Sequence, residues 1–492
     1  MKQLLLLFFC LHCVFATGNH LQEWNVTEHH VVGDGQTLNT VPLQSLINRV
    51  SAKGGGRLIF PVGTYLCGSL QLKSGIELYL AEGAVLLGST NPYHYTKTEK
   101  GKLEEAFLVA TEATGIRITG AGTVDGQGLG LALTIDSLHH TGEWIDSTYN
   151  YRRMRPGNRP KLCCFTHCND VRFEGVTFRN SAGWGLSFHE SNHISIHNVT
   201  VFNRAYWNND GIDLTDCSDV HIWECDVDAA DDGICLKSEN KHADNRNISI
   251  NDCTVASSAS AIKFGTSSWG SFRDVTISRI QVKDTFRSAV AIESVDGGNI
   301  DNIQIFDIFA TNTGNALFIR LGHRNGDKAG SIKNVTVKNL WCEVPFGRPD
   351  IAYDLRGPEV NYFHNPFPCV ISGIPEAMIQ GVMLEDIEVV FPGRASKGMA
   401  YIPVSRLQAV PEKIDEYPEF TMFGELPSWG FYTRHVEGLQ MKNIRLILKE
   451  ADYRPSLVFD DVKQASIQSV RFYPTQLGKE QIVLKESEVC TE

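Results

Sequence analysis

The phrase "VRFEGVTF" at residues 171–178 decides the fold of this chain, because the same arrangement of apolar and polar residues returns many times. Two apolar-any-apolar triplets flank two mostly polar residues, which is the pattern of two short strands joined by a bend. Later copies are "ISIHNVTV" (194–201), "VHIWECDV" (220–227), "ISINDCTV" (248–255), "VTISRIQV" (275–282), "IQIFDIFA" (303–310), "VTVKNLWC" (335–342), "VMLEDIEV" (382–389), "LQMKNIRL" (439–446) and "ASIQSVRF" (465–472). The early copies follow one another at steps of about 23 to 28 residues, which indicates one structural repeat per step.

A third short strand lies between consecutive copies, as in "GIDLTD" (211–216) and "GICLKS" (233–238). Three short strands per step of this length predict a parallel β-helix, in which coils stack because one coil cannot bury its own apolar face. A β-propeller would instead need longer repeats with four strands and antiparallel turns. We therefore predict an all-β parallel β-helix.

The regions outside the repeat predict a cap and long loops. "VPLQSLINRVSAKGGG" (41–56) reads as a short helix that ends at glycines, within an N-terminal cap of about residues 30–60. Residues 17–480 are expected to form a single β-helix domain, followed by a C-terminal tail, 481–492. Two segments rich in Pro, Gly and aromatic residues, 343–377 and 391–434, are expected to stand over the active face as loops.

The N-terminus, "MKQLLLLFFCLHCVFATGNH", predicts a secretory signal peptide over residues 1–16. It has a short basic start, an apolar run and a small-residue cleavage site, and the run is too short to span a bilayer. No later segment approaches spanning length. We expect a secreted or periplasmic protein without a membrane span.

Composition excludes some partners and leaves others open. The net charge of −12 argues against nucleic acid and anionic membrane surfaces, although a local cation cluster could still bind a polyanionic substrate. Of the 13 cysteines, those after the signal segment show no metal-ligand spacing beyond the loose trio Cys163, Cys164 and Cys168. Several of them occupy apolar positions of the repeat, as buried thiols do. No metal or cofactor is expected, and a monomer is expected.

Aspartates gather at one corner of the predicted coils. "NNDGIDL" (208–214) and "VDAADDGICLKS" (227–238) place Asp210 and the pair Asp231-Asp232 on neighbouring coils, about 4.8 Å apart. Two carboxylates with pKa values pushed apart suit glycoside hydrolysis, and a gap of about 6.5–9.5 Å leaves room for the water of an inverting reaction. A single Asp at a bend is usually structural. Matched N-x-D-G and D-D-G motifs favour a catalytic site.

The stretch "NNDGIDLTDCSDVHIWECDVDAADDGICLKS" resembles the N-T-D-G and D-D catalytic segment of glycoside hydrolase family 28, the polygalacturonase family. "VVGDGQTLNTVPLQSLINRVSAKGGGRLIFPVGTYLCGSLQLKSGIELYLAEGAVLLGS" is similar to the N-terminal portion of that family. The resemblance covers most of the chain after the signal segment. It implies a right-handed β-helix that hydrolyses its glycosidic bond with inversion and without a cofactor.

The resemblance also implies roles for individual residues. Asp231 corresponds to the general acid, and Asp210 and Asp232 to the residues that hold and activate the water. Asn208 would help to place them, and Lys237 follows the motif as in the family.

Two further family motifs are altered. "SSASAIKFGTS" (257–267) lacks the His of the family's G-H-G, and "RSAVAIES" (287–294) has Ala291 and Glu293 where the family's R-I-K has basic residues. Lys263 and Arg287 are the cations that could compensate, so both are expected to bind substrate together with Glu293.

Three other side chains are candidates for substrate binding. Tyr206 and Trp207 lie just ahead of the first acid, and His189 lies one coil earlier. Aromatic faces at exposed positions suit stacking on sugar rings.

The leading hypothesis is a secreted inverting glycoside hydrolase that cleaves α-glycosidic bonds of a pectic polysaccharide. Its specificity would be of the polygalacturonase, exo-galacturonidase or rhamnogalacturonan-hydrolase type. One alternative is a polysaccharide lyase, which would need calcium held by acids. Another is a non-catalytic carbohydrate-binding β-helix.

Overall fold

A computed structural model of the chain describes residues 22–96, 105–350, 364–395, 402–474 and 480–491. The predicted signal peptide, residues 1–16, lies outside these ranges. Within the described ranges, no helix combines the length and the apolar character needed to cross a membrane.

The described chain consists mainly of short strands. In chain order they are β1 (Glu23–Asn25), β2 (Gly56–Phe60), β3 (Gly63–Cys67), β4 (Leu70–Leu72), β5 (Ile76–Leu80), β6 (Ala84–Gly88), β7 (Ala106–Thr111), β8 (Thr114–Gly120), β9 (Thr123–Asp125), β10 (Lys161–Thr166), β11 (Asn169–Glu174), β12 (Thr177–Arg179), β13 (Leu186–His189), β14 (Asn192–His197), β15 (Thr200–Asn203), β16 (Ile212–Thr215), β17 (Ser218–Trp223), β18 (Asp226–Ala229), β19 (Ile234–Ser238), β20 (Asp244–Asn251), β21 (Thr254–Ser257), β22 (Ile262–Ser268), β23 (Ser271–Ser294), β24 (Asn299–Leu321), β25 (Ser331–Glu343), β26 (Cys369–Ser372), β27 (Ile379–Phe391), β28 (Phe431–Glu437), β29 (Gln440–Leu448), β30 (Leu457–Lys463), β31 (Ala465–Tyr473), β32 (Ile482–Lys485) and β33 (Val489–Thr491). The helices are α1 (Thr40–Ala52) and α2 (Gly128–Thr141), with short 3-10 turns at Val26–His29, Pro92–His94 and Val404–Ala409.

The strands stack into three parallel sheets, each strand pairing with its equivalent one coil along. The first sheet runs through β2, β5, β8, β11, β14, β17 and β20. The second runs through β3, β6, β9, β12, β15, β18 and β21. The third runs through β4, β7, β10, β13, β16, β19 and β22. The C-terminal parts of β23 and β24 continue it to β26, β28, β30 and β32. The prediction of an all-β, right-handed parallel β-helix is confirmed.

Stacked apolar side chains fill the inside of the helix. On the third sheet, Ile212, Ile234, Ile262 and Val290 lie in register on successive coils, and each is fully buried. This register follows from the period-two pattern, because alternate residues of each strand point inward. The cysteines that the structure describes are free thiols, and all except Cys490 are buried.

The two ends of the stack are built differently. Helix α1 buries Leu43, Leu46, Ile47 and Val50, which share one face of the helix and pack on the N-terminal part of the core. At the other end lie residues 480–491, most of them within the predicted C-terminal tail. They supply β32 and β33, which pair with β30 and β31 and extend the stack.

The outer side of the third sheet is apolar in its C-terminal coils, and a long loop covers it. Phe318, Val370 and Tyr432 form a cluster there with loop residues such as Leu407 and Phe420. This packing fixes the described part of the 391–434 loop beside the coils that carry the aspartates. Of the two expected loops, residues 351–363 and 396–401 lie outside the described ranges.

Candidate active site

Asp210 and Asp232 occupy equivalent positions on successive coils. The hydrogen bond that links the two coils at this point runs from the Gly211 amide to the Asp232 carbonyl oxygen at 2.9 Å. The glycine after each of them is required by how closely the coils approach. A Cβ on Gly211 would lie 2.4 Å from the Gly233 carbonyl oxygen, and one on Gly233 would lie 2.6 Å from the Ala261 carbonyl oxygen. The D-G pairs of the sequence therefore fix the spacing between the acids.

The candidate acids differ in backbone conformation from the aspartates of the bends. Bend residues such as Asp219 and Asp252 have φ of 57° and 56°, the left-handed region that Asp and Asn tolerate. Asp210, Asp231 and Asp232 lie outside that region. They lie just before strands β16 and β19 of the third sheet, so turn formation does not explain why aspartates stand there.

Three carboxylates meet at this corner. Asp210, Asp231 and Asp232 each offer an oxygen within 4.8 Å of the others, and the three residues are only 3%, 6% and 4% exposed. These nearest-oxygen distances are shorter than the gap of about 6.5–9.5 Å expected for an inverting pair. The spacing alone therefore does not argue for inversion.

Two lysines lie among the acids. Lys237 Nζ contacts Asp210 Oδ2 at 2.9 Å and also contacts Asp213 Oδ1. Lys263 Nζ, from the next coil, lies 3.1 Å from Asp232 Oδ2 and 3.8 Å from a Glu293 oxygen. Each ammonium group therefore sits between two carboxylates of the protein.

The neighbouring acids Asp231 and Asp232 have opposite protonation preferences. Burial, followed by the charges of Asp210 and Asp232, raises the pKa of Asp231 to about 7. Burial by itself would also raise the pKa of Asp232, but the Lys263 ammonium outweighs it and holds this pKa below its ordinary value. At mildly acidic pH, Asp231 keeps its proton and Asp232 is ionised.

Two other acids of the site are shifted upward. Burial raises the pKa of Asp210, although Lys237 opposes this shift. Burial, followed by the charge of Asp232, raises the pKa of Glu293 to about 7. For Lys237, burial favours the neutral form, but Asp210 and Asp213 outweigh it and hold the pKa well above its ordinary value, so that this lysine is a cation.

Asn208 links the acid cluster to a neighbouring arginine. Its Nδ2 donates to Asp231 Oδ2 at 3.3 Å, and its Oδ1 accepts from Arg159 Nη2 at 3.2 Å. Arg159 also donates to the Trp207 carbonyl oxygen at 2.7 Å. Asn208 can therefore hold the Asp231 side chain in place, the role that the family resemblance implies.

Several predicted substrate-binding residues are almost completely buried. Tyr206 is 5% exposed with its ring under Arg159, so this ring already has a partner. Lys263, Arg287 and Glu293 are 1–2% exposed. Lys263 and Arg287 lower the pKa of Asp232, and Lys263 also contacts Glu293. Sequence position alone could not separate these roles.

Trp207 and His189 lie at the edge of the site. Trp207 is half-buried, with the Arg155 guanidinium 5.2 Å from its ring centre. His189 is on β13, one coil before Asp213, where its Nε2 lies 3.2 Å from Lys161 Nζ. His189 thus belongs to a neighbouring cluster and does not contact the three catalytic candidates.

Two parts of the site were not predicted from the sequence. Tyr417, on the long loop, is 41% exposed and accepts a hydrogen bond from Lys263 at 3.1 Å. No repeat pattern marks this residue, because its position depends on how the loop packs. Residues 152–161 form a basic loop beside Trp207, and this run of arginines was visible in the sequence.

The carboxylate cluster has the donor set for a metal ion, yet ammonium groups compete for it. Lys237 and Lys263 contact the Asp210 and Asp232 oxygens that a cation would use. A second group, Glu105, Cys164 and His189, surrounds Lys161 in the same way, at 2.7, 3.6 and 3.2 Å.

The sequence model of the Glycosyl hydrolases family 28 matches residues 54–345, more than half of the chain. The chain belongs to glycoside hydrolase family 28. It is therefore a glycoside hydrolase, and its relatives include polygalacturonases.

Individual relatives of this family 28 member are distant. A probable polygalacturonase of Vitis vinifera is 25% identical over 405 residues, which cover 74% of each chain. An exo-poly-alpha-D-galacturonosidase of Dickeya chrysanthemi is 27% identical over 249 residues, or 43% of this chain and 41% of the relative. The family 28 exopolygalacturonase structure of Yersinia enterocolitica shares the fold, with a TM-score of 0.57 and 19% identity over 96% of this chain and 78% of that one.

Proposed function

We propose that this family 28 enzyme hydrolyses an α-glycosidic bond of a pectic polysaccharide with inversion at the anomeric carbon. The observation that carries the acid-base part of the proposal is the pair Asp231 and Asp232, adjacent acids whose pKa values are moved in opposite directions. Inversion is what the resemblance to the catalytic segment of family 28 implies. Adjacent carboxyl groups with separated pKa values supply an acid and a base at one pH.

Each step uses one of the three catalytic candidates. Protonated Asp231 donates its proton to the glycosidic oxygen as the bond between that oxygen and the anomeric carbon breaks. Asp210 and Asp232 hold a water molecule, whose oxygen bonds to the anomeric carbon from the opposite side. The water gives up a proton to one of these two carboxylates. Exchange with solvent then returns Asp231 to its protonated form.

The substrate class is supported by the relatives. Proteins related over 74% and 43% of this chain are named as a polygalacturonase and an exo-poly-galacturonosidase. We propose that this chain likewise acts on galacturonate-containing chains, as a monomer that is secreted or periplasmic. The long loop that places Tyr417 beside Lys263 walls one side of the site, which favours release of small products.

The test is product analysis with polygalacturonan, rhamnogalacturonan and their oligosaccharides. We expect saturated products, and we expect proton NMR in the first minutes to show the β-anomer from an α-linked substrate. EDTA should leave the rate unchanged. Unsaturated products, detected by their ultraviolet absorbance, together with loss of rate in EDTA, would favour a calcium-dependent lyase. Initial α-anomer would contradict inversion, and binding without turnover would indicate a non-catalytic protein.

The pH dependence of kcat/KM should be bell-shaped with its basic limb near pH 7. Asp231 must keep its proton, and its pKa is raised to about 7, so activity falls as the pH rises through that value. Asp210 must be ionised, and its raised pKa places the acidic limb above the ordinary aspartate value of 3.8. Initial rates across a pH series on a galacturonate oligomer measure both limbs.

Glu293 is the control for this profile, because burial raises its pKa to about 7 as well. If Asp231 causes the basic limb, Glu293→Gln leaves that limb in place. A basic limb that disappears in Glu293→Gln would assign it to Glu293 and contradict the role of Asp231.

A further inference from the structure

A basic loop lies against the acid cluster. Residues 152–161 contain five cations, Arg152, Arg153, Arg155, Arg159 and Lys161, and the sequence has no acid between residues 147 and 168. In a chain with a net charge of −12, such a run is a local reversal of sign. It also lies beside the site of an enzyme whose proposed substrate is a polyanion.

The fold holds this loop in one shape. Asp146 accepts hydrogen bonds from the amides of Thr148 at 2.8 Å, Gly157 at 2.7 Å and Asn158 at 2.9 Å. The amide of Asp146 donates in turn to His139 of α2 at 3.0 Å. The loop is therefore anchored at both ends.

Two of the cations are already committed. Arg159 is bonded to Asn208 and to backbone carbonyl groups, and Lys161 Nζ lies 2.7 Å from Glu105. The lysines beside the catalytic acids are also neutralised by the protein, Lys237 by Asp210 and Asp213 and Lys263 by Asp232 and Glu293. A carboxylate of the substrate would have to find its cation elsewhere.

Three cations of the loop remain, Arg152, Arg153 and Arg155, and the last two lie beside Trp207. Within the described ranges neither guanidinium forms a salt bridge, and Arg155 Nη1 is buried without a hydrogen-bond partner. Both lie over the ring of Trp207, at 5.7 and 5.2 Å from its centre. Trp207 thus holds two like charges side by side.

The surroundings of Arg155 favour an anion. Burial, followed by the positive charge of Arg153, lowers the pKa of Arg155, and Asp231 is the acid that opposes this shift most. An anion between the two guanidinium groups would satisfy the buried Nη1 and remove their repulsion. The place is also close to the reaction, since Trp207 precedes Asn208, which donates to Asp231.

We propose that Arg153 and Arg155, oriented by Trp207, bind the carboxylate of an acidic sugar unit next to the scissile bond, on the Asn208 side of Asp231. A guanidinium fork matches a carboxylate with two parallel hydrogen bonds. The inference rests on the proposed function, because it names the group of a uronate substrate that this site recognises. It assigns recognition of the substrate's carboxylate to residues 152–161, a loop outside the repeat.

The test compares a galacturonate oligomer with its methyl ester, which lacks the negative charge and keeps the sugar ring. The parent protein should prefer the free acid in kcat/KM. Arg155→Gln and Arg153→Gln should each reduce that preference, by about 10- to 100-fold for a charge-assisted pair, with little change on the ester. Arg152→Gln is the matched control, an exposed arginine of the same loop, and should keep the parent preference.

Unchanged preference in folded Arg155→Gln and Arg153→Gln would overturn the inference while the proposed function stands. Arg155→Lys, which keeps the charge and loses the fork, should retain part of the preference and guards against a folding defect.

If the parent hydrolyses neither substrate, the proposed function fails, and calorimetry with trigalacturonate then tests the carboxylate site by itself. Binding that weakens in Arg155→Gln and persists in Arg152→Gln would support the carboxylate site, and binding that is absent or equal in both would overturn it.

Discussion

Asp231→Asn is expected to lower kcat by about 10²- to 10⁴-fold with little change in KM, the usual contribution of a general acid. An amide has no acidic proton to give to the glycosidic oxygen, yet it has nearly the size of the carboxyl group. Asp231 accepts from Asn208 Nδ2 at 3.3 Å and from the Asp232 amide at 3.1 Å, through different oxygens. A protonated carboxyl group has one good acceptor oxygen, and the single carboxamide oxygen of an Asn keeps that one acceptor contact. The loss should therefore be chemical and should leave thermal unfolding near that of the parent.

A substrate with an acidic phenol as leaving group separates this role from others. Such a group departs without a proton, so Asp231→Asn should regain much of its rate on an aryl glycoside and not on the oligosaccharide. Asp219→Asn is the control, since Asp219 lies at a bend with φ of 57°, a conformation that Asn also tolerates. Retention of more than a tenth of kcat in folded Asp231→Asn would remove Asp231 from the acid role.

Lys263→Met is expected to lower the free energy of unfolding by about 3–5 kcal/mol, because it leaves two buried carboxylates without their cation. Lys263 Nζ lies 3.1 Å from an Asp232 oxygen and 3.8 Å from a Glu293 oxygen. Without the ammonium, burial would raise the pKa of Asp232, so the acidic limb of the pH profile should move upward and kcat should fall. Denaturant titration and a pH series measure the two effects.

The double variant Lys263→Met/Glu293→Gln tests the cause. Replacing Glu293 by its neutral isostere removes one of the two stranded charges and should restore part of the lost stability. It should not restore kcat, because Asp232 still lacks its cation. A single variant that unfolds like the parent, or a double variant that is no more stable than the single, would contradict this account.

The sequence predicts the coils well because their pattern is set locally. Apolar residues at every second position must face inward, so the register of Ile212 on Ile234 and of Asp210 on Asp232 follows from the repeat itself. Motif glycines strengthen the prediction, since Gly211 and Gly233 are placed where backbones of successive coils approach.

The parts that were missed depend on contacts between distant segments. Helix α2 begins at Gly128 and has a second glycine in its first turn, so its intrinsic helix propensity is low there. Packing of the buried residues Leu131 and Ile135 against the rest of the protein stabilises the helix instead. Between β19 and β22 the register shifts by two residues after Leu236, which pairs with Phe264, while Ser238 pairs with Ser268. Lys263 pairs with Cys235 ahead of this shift, so a count of residues from motif to motif places Lys263 correctly and fails only for the residues after Phe264.

The catalytic acids and the long loop that covers the C-terminal coils are held by different parts of the chain. The acids lie on coils within residues 208–293, whereas the loop that carries Tyr417 packs into a cluster that involves Phe318, Tyr432 and Val458. Proteolytic nicking within the loop would leave every carboxyl group in place. It would release the wall and expose the apolar surface beneath it, so the cut enzyme should become less selective and more prone to aggregate before it loses its acid chemistry.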